Sequence, residues 1–177
     1  MQSGVVSEED KSAIESLGSL YFEPLWLFTS APDGAGKDMQ RLKGKTAAAG
    51  SPGGGTRVVV TDMLKENGLQ NDVTLTDASG MDAANALLDG QIDAAFFVSG
   101  YKSGYIQKLL SSQNVQLVSF DRAEAYSRIL PYLATVTLPE GAMDLAENTP
   151  QGDVQLVSPV AQLAVRESFN GALKTLL

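Results

Sequence analysis

At 177 residues, with 44% apolar and 19% charged side chains, the chain can bury one real core and has neither the composition of a disordered segment nor that of a membrane-embedded protein. Thirteen Lys and Arg against 21 Asp and Glu give a formal net charge of -8, a surface sign that repels the phosphates of nucleic acid. Cysteine and histidine are both absent, which rules out disulfides, thiolate metal sites, thiol nucleophiles, the commonest metal ligand and the usual general base.

The chain opens without the charged and hydrophobic regions of a signal peptide, and both ends read as boundaries within a longer protein. Residues 8–16 are polar and charged and read as a helix, and the aromatic and branched run 20–28 reads as extended. Pro24 inside that run argues for an edge strand or a bend. A loop is expected over 31–38, where Pro32, Gly34 and Gly36 cluster.

From Arg41 onward the pattern becomes regular. A short strand over 45–49 runs into a glycine-rich segment, and residues 56–66 then place Val59, Val60, Met63 and Leu64 on one helical face, closed by Gly68. A strand at 73–76, a helix at 82–89 closed by Gly90, and a strand at 94–98 follow. Strands alternating with helices in this way point to parallel pairing. Tyr101, Tyr105, Ile106, Leu109 and Leu110 then recur at helical spacing, ahead of a strand at 115–118. Asp121 and Glu124 have capping-box spacing before a helix that Pro131 ends. Strands at 134–138, 154–158 and 163–166 come without helices between them, and the chain closes on a helix-like stretch at 167–177.

The segment richest in chemical content is Gly50-Ser51-Pro52-Gly53-Gly54-Gly55-Thr56, between a strand and a helix. Glycines let backbone amides approach a ligand, Ser51 and Thr56 add hydroxyls, and the helix turns its unpaired amides and positive dipole end toward the same point. An anion suits such a place; the plainer alternative is a tight turn. A nucleotide loop would need Lys and then Ser or Thr after the last glycine, but Thr56 and Arg57 follow Gly55. The dinucleotide spacing fails too, at Pro52 from one register and at Val58 from the other, which leaves a small carboxylate as the best-matched ligand.

Ser99 follows the strand at 94–98, where ligands of open parallel sheets sit, and is a second candidate contact or part of an ordinary turn. Tyr21, Glu23 and Trp26 could face a ligand, although core packing is the commoner use of Trp26. The pairs Asp62 with Glu66 and Asp89 with Asp93 read as solvated faces and helix ends, Gly34-Ala35-Gly36-Lys37 reads as a plain loop, and no catalytic constellation is visible.

Leu42-Lys43-Gly44-Lys45, Ala49-Gly50-Ser51-Pro52-Gly53-Gly54-Gly55-Thr56-Arg57 and Leu88-Asp89-Gly90-Gln91-Ile92-Asp93-Ala94-Ala95-Phe96 together resemble the solute-binding subunits of TRAP transporters of the TAXI type. The Glu23-Pro24-Leu25-Trp26 stretch resembles the one such proteins use before crossing between lobes, and the likeness extends from about Leu17 to Leu173. The resemblance implies an α/β, periplasmic-binding-protein-like II fold, here mostly one lobe with a mixed, largely parallel sheet flanked by helices. Residues 1–40 would be a remnant of the first lobe and the hinge crossing, 41–140 the second α/β lobe, and 141–177 the return crossing and the start of a C-terminal helix. By the same resemblance Ser51, Gly53, Gly54, Gly55 and Thr56 would hold the carboxylate of a small solute or amino acid, with Ser99 and Gly100 nearby and Tyr21 or Glu23 on the opposite wall.

The implied role is a periplasmic, or otherwise extracytoplasmic, receptor that needs no metal or cofactor, is not an enzyme, and delivers its solute to membrane permease subunits. Two rivals use the same two-lobed architecture. An enzyme would need an acid or base drawn from Asp, Glu, Lys or Arg in the cleft, and a regulator's effector domain would need a DNA-binding module elsewhere.

Overall fold

The computed structural model describes residues 14–30, 38–166 and 168–169. Its elements in chain order are β1 (Ile14–Phe22), β2 (Leu25–Ser30), a 3-10 turn (Asp38–Leu42), β3 (Thr46–Ala48), α1 (Gly55–Glu66), β4 (Thr74–Thr76) and α2 (Gly80–Leu88). They continue with β5 (Ala94–Val98), α3 (Gly104–Leu110), β6 (Val115–Leu117), α4 (Ala123–Ile129), β7 (Leu133–Leu138) and β8 (Val154–Arg166). Eight strands form a mixed sheet in the order β1-β8-β2-β5-β3-β4, with β6 paired to β2 and β7 to β8.

The expected mixed α/β fold is present, and its parallel part is confined to β4, β3 and β5. These are the strands joined through α1 and α2, because a helical crossover returns the chain in the same direction. Every other pairing is antiparallel. β2 lies at the centre, with β5 along one side and β6 and β8 sharing the other, so Leu25, Trp26, Leu27 and Phe28 are covered on both faces. That double burial explains an unbroken apolar run where a half-exposed strand would alternate. Pro24 therefore marks a bend between β1 and β2, where its missing N–H costs no ladder bond, and not a sheet edge.

The four side chains expected on one face of α1, Val59, Val60, Met63 and Leu64, are all buried, each worth about 1.5–3 kcal/mol against exposure. Its end is a Schellman motif: Leu69 N–H reaches the Leu64 carbonyl at 2.8 Å and Gly68, at φ +68°, reaches Lys65 at 3.0 Å. Gly90 ends α2 with the same pair of bonds, from Gln91 to Ala86 and from Gly90 to Leu87.

Three expectations are corrected. The polar helix over 8–16 falls on residues 8–13, which lie outside the described residues, and on 14–16, which are strand; β1 pairs with β8 over its whole length, and those ladder bonds override local propensity. The capping box at Asp121 does not form, since α4 starts one residue later with Arg122 in the capping position and without a side-chain cap. The two strands expected at 154–158 and 163–166 are one strand, β8. Pro159 marks a change of partner within it: Val154–Pro159 pair with β7, and Val160–Arg166 pair with β1. Beyond that point β1 and β8 form a ribbon that leaves Leu20, Tyr21 and Phe22 each more than half exposed. The expected loop over 31–37, with Gly34 to Lys37, and most of the closing helix-like stretch lie outside the described residues.

Candidate functional site

Because β3, β4 and β5 run parallel, their carboxyl ends lie at one edge of the sheet, and both α1 and α2 begin there. The glycine segment is first secured by two backbone bonds, Ala49 N–H to the Thr76 carbonyl at 3.2 Å and Gly50 N–H to the Ala78 carbonyl at 3.1 Å. It then turns tightly, with Gly54 N–H on the Ser51 carbonyl at 3.0 Å. Gly53 sits at φ +79°, and a Cβ on Gly54 would come within 3.1 Å of the Ser51 carbonyl oxygen, so both positions favour glycine. The first bond of α1 runs from Val58 N–H to the Gly54 carbonyl, and no side chain caps the helix. The amides of Gly55, Thr56 and Arg57 are therefore left without an acceptor among the described residues. Residues 51–54 are exposed and 55–57 half-buried, so the turn that precedes these donors reaches solvent.

A hollow of about 260 Å³ opens beside it, lined by Gly50, Thr56, Ser79, Gly80, Phe96, Phe97, Val98 and Tyr105. Thr56 Oγ1 accepts from Val98 N–H at 3.2 Å, which fixes the start of α1 to the end of β5 and leaves the hydroxyl proton free to donate. Ser99 is buried just behind the hollow. Its amide donates to the Pro24 carbonyl at 3.2 Å, its carbonyl accepts from the Trp26 indole at 2.8 Å, and its hydroxyl accepts from the Tyr105 hydroxyl at 2.9 Å. No Lys or Arg lines this hollow.

The sequence-predicted residues distribute unevenly around this edge. Thr56 lines the hollow and Ser99 supports it from behind, through Tyr105. Gly53 lines a second, shallower hollow on the other side of the start of α1, together with Pro52, Arg57, Thr61 and Asp62. Ser51, Gly54, Gly55 and Gly100 line neither hollow, although Ser51, Gly54 and Gly55 build the turn that presents the amides. Glu23 stands beside Pro24 at the same edge, with its amide on the Pro159 carbonyl at 3.3 Å. Tyr21 lies farther out on the ribbon, opposite Ala161. Trp26 is 1% exposed, so it is core and reaches the site only through Ser99.

Ser79, Gly80 and Tyr105 are members of the hollow that the sequence reading did not single out. The first two could have been found by asking which residues follow each parallel strand, since they follow β4 as Ser51 follows β3. Tyr105 carried no such signal, because its spacing with Ile106 and Leu109 matches a core-facing helix.

The carboxylates serve structure. Asp93 accepts from Thr46 N–H at 2.8 Å and lies 3.6 Å from Lys45 Nζ. Arg57 donates from Nη2 to the Thr76 carbonyl at 3.2 Å and to the Asp77 carboxylate, tying the first turn of α1 to the loop after β4. Its Nε is buried without a partner. Asp62 accepts from the Tyr132 hydroxyl at 2.6 Å. Burial first, then the hydrogen bond and the charge of Asp62, hold the Tyr132 phenol well above the ordinary tyrosine range.

The fold matches solved structures of periplasmic-binding-protein-like proteins. An ancestral arginine-binding protein bound to arginine superposes over 96% of this chain and 57% of its own, at 17% identity and a TM-score of 0.54. A protein from Bordetella bronchiseptica RB50 covers 94% and 45% at 21% identity and a TM-score of 0.56. A probable amino-acid ABC transporter extracellular-binding protein from Bacillus subtilis covers 98% and 58% at 14% identity and a TM-score of 0.52. The chain thus spans about half the length of the proteins it superposes on. The model of the NMT1-like family matches residues 3–171, so the chain belongs to that family.

Proposed function

We infer that this chain is the gripping lobe of an extracytoplasmic solute receptor, which captures a small carboxylate or amino acid and hands it to a membrane permease. The observation that carries this reading is the set of three uncapped amides at Gly55, Thr56 and Arg57, presented outward beside a hollow at the carboxyl ends of the parallel strands. Negative charge placed there meets aligned dipoles and the Thr56 hydroxyl, and closure over it requires no covalent chemistry. The arginine and amino-acid receptors among the superposable structures favour the same ligand class. The segments around Gly44, Gly53 and Gly90 favour a TRAP permease of the TAXI type as the partner.

The gripping lobe is centred on 41–140, as the sequence suggests, and the pairing of β2 with β5 and of β8 with β7 favours counting β2 and the inner half of β8 with it. The crossing to a second lobe is assigned to β1 and the outer half of β8, where Leu20, Tyr21 and Phe22 stand exposed on the ribbon. Tyr21 and Glu23 would then meet the solute from that side. Among the described residues no helix is long and apolar enough to cross a membrane.

Isothermal titration with a panel of amino acids and organic acids tests the site. Thr56→Val removes the hydroxyl donor and orphans the Val98 amide, and should weaken binding of any acid that the wild type holds by roughly tenfold or more, whereas Thr56→Ser should retain it. Equal affinities in the wild type and Thr56→Val would remove the site assignment.

A further inference from the structure

Tyr105 is held from two directions. Its ring packs tilted against Phe97 with centroids 5.2 Å apart, Phe97 meets Phe28 edge-on at 6.2 Å, and Phe28 stacks on Trp26 at 6.5 Å. Trp26 returns to the same place through its indole bond to the Ser99 carbonyl, and the Tyr105 hydroxyl closes the circuit on Ser99 Oγ. A side chain fixed this way loses little freedom when a ligand arrives.

Counting protons shows what it presents. A serine hydroxyl has one proton and two acceptor sites. Ser99 Oγ accepts from Tyr105, lies 2.5 Å from Ser103 Oγ, and directs its own proton to the Gly100 carbonyl at 3.3 Å. Whichever serine donates in the Ser99–Ser103 pair, the single Ser99 proton goes to Gly100 or Ser103 and none is left for a carboxylate. The single proton of Tyr105 is spent on Ser99, so its phenolic oxygen can only accept. The hollow thus has Thr56 as its donor at the start of α1, with the Gly55 and Arg57 amides beside it, and an acceptor at Tyr105, with no Lys or Arg in its lining.

We propose that Tyr105 is a specificity-determining residue: its oxygen accepts a hydrogen bond from an ammonium or hydroxyl group of the bound acid while the α1 amides take the carboxylate, which selects amino and hydroxy acids over plain carboxylates. This rests on the hollow being the solute site. The test is calorimetry on the full chain with matched probes: L-glutamate against glutarate, L-leucine against 4-methylpentanoate, and L-lactate against propionate. In the wild type the amino member of a pair should bind roughly tenfold tighter or more, the scale of one hydrogen bond to a charged group, and the hydroxy member about threefold to tenfold tighter, the scale of a neutral one. Tyr105→Phe should erase that preference by weakening this member alone, with its thermal midpoint lowered by no more than a few degrees, because only the bond to Ser99 is lost and the ring keeps its contact with Phe97. Equal binding of both members by the wild type, or a preference that survives in Tyr105→Phe, overturns the proposal and leaves the carboxylate site standing. Failure of the wild type to bind any probe overturns the site and the proposal together.

Discussion

The two ends of the parallel strands β3, β4 and β5 are built alike in backbone and differently in how their polar groups are used. At the amino ends the backbone groups are paired across the sheet: Gly44 N–H bonds the Asp72 carbonyl at 2.8 Å, Asp93 N–H bonds the Thr46 carbonyl at 2.9 Å, and the Asp93 side chain takes the Thr46 amide. At the carboxyl ends the amides of Gly55, Thr56 and Arg57 have no such partner. One sheet therefore carries a closed edge that holds it together and an open edge with donors to spare. Unpaired donors cost stability unless water or a ligand meets them, and on the proposed reading the open edge is where the solute meets them.

The largest effect should come from the side chain beneath the open edge. Trp26→Ala removes the centre of β2 packing and the indole bond to Ser99, and is expected to cost about 3–5 kcal/mol in urea unfolding. A loss below 1 kcal/mol would mean that the open edge does not depend on this core. Next comes the closed edge, where Asp93→Ala leaves Thr46 N–H without its carboxylate and should cost about 2 kcal/mol, with solute affinity untouched. A change in affinity with Asp93→Ala would blur the division between the edges. Gly53→Ala reverses the pattern. It forces an L side chain to φ +79° at about 1–2 kcal/mol, and should weaken solute binding while leaving the closed edge intact. Hydrogen exchange at Thr46 and Thr74 would detect any spread to the far side.

Much of the open edge was legible in the sequence, and for one reason: its parts are local. The glycine segment, the apolar face of α1 and the stops at Gly68 and Gly90 depend on neighbours within a few residues, so spacing alone encodes them. The pairing of β1 with β8 joins residues more than a hundred positions apart, and nothing near Ile14–Ser16 announces it, so a polar stretch that reads as helix is strand. Tyr105 was hidden for a different reason. Its ring does the packing that its helical spacing implies, and only the hydroxyl, whose partner is set by the tertiary fold, belongs to the site. Ser99 shows the converse, a residue picked for the site from its place after β5 whose hydroxyl is consumed in holding another.

A smaller effect, expected at about 1 kcal/mol, concerns how α1 is held from outside either edge. Tyr132, just before β7, donates to Asp62 in the middle of α1 at 2.6 Å, and its folded phenol titrates well above the value of about 10 expected in the unfolded chain. Because the folded state keeps the proton and the unfolded state releases it, the contribution is fully present below about pH 10 and declines as pH rises beyond that. Tyr132→Phe removes both the bond and the titration. Urea midpoints should therefore differ between the wild type and Tyr132→Phe at pH 8 and converge at about pH 11. Other groups that titrate in this range act on both proteins and cancel in the difference. A gap that stays constant from pH 8 to 11 would show that the Tyr132 phenol titrates alike in the folded and unfolded chain, so that burial and Asp62 do not hold its proton.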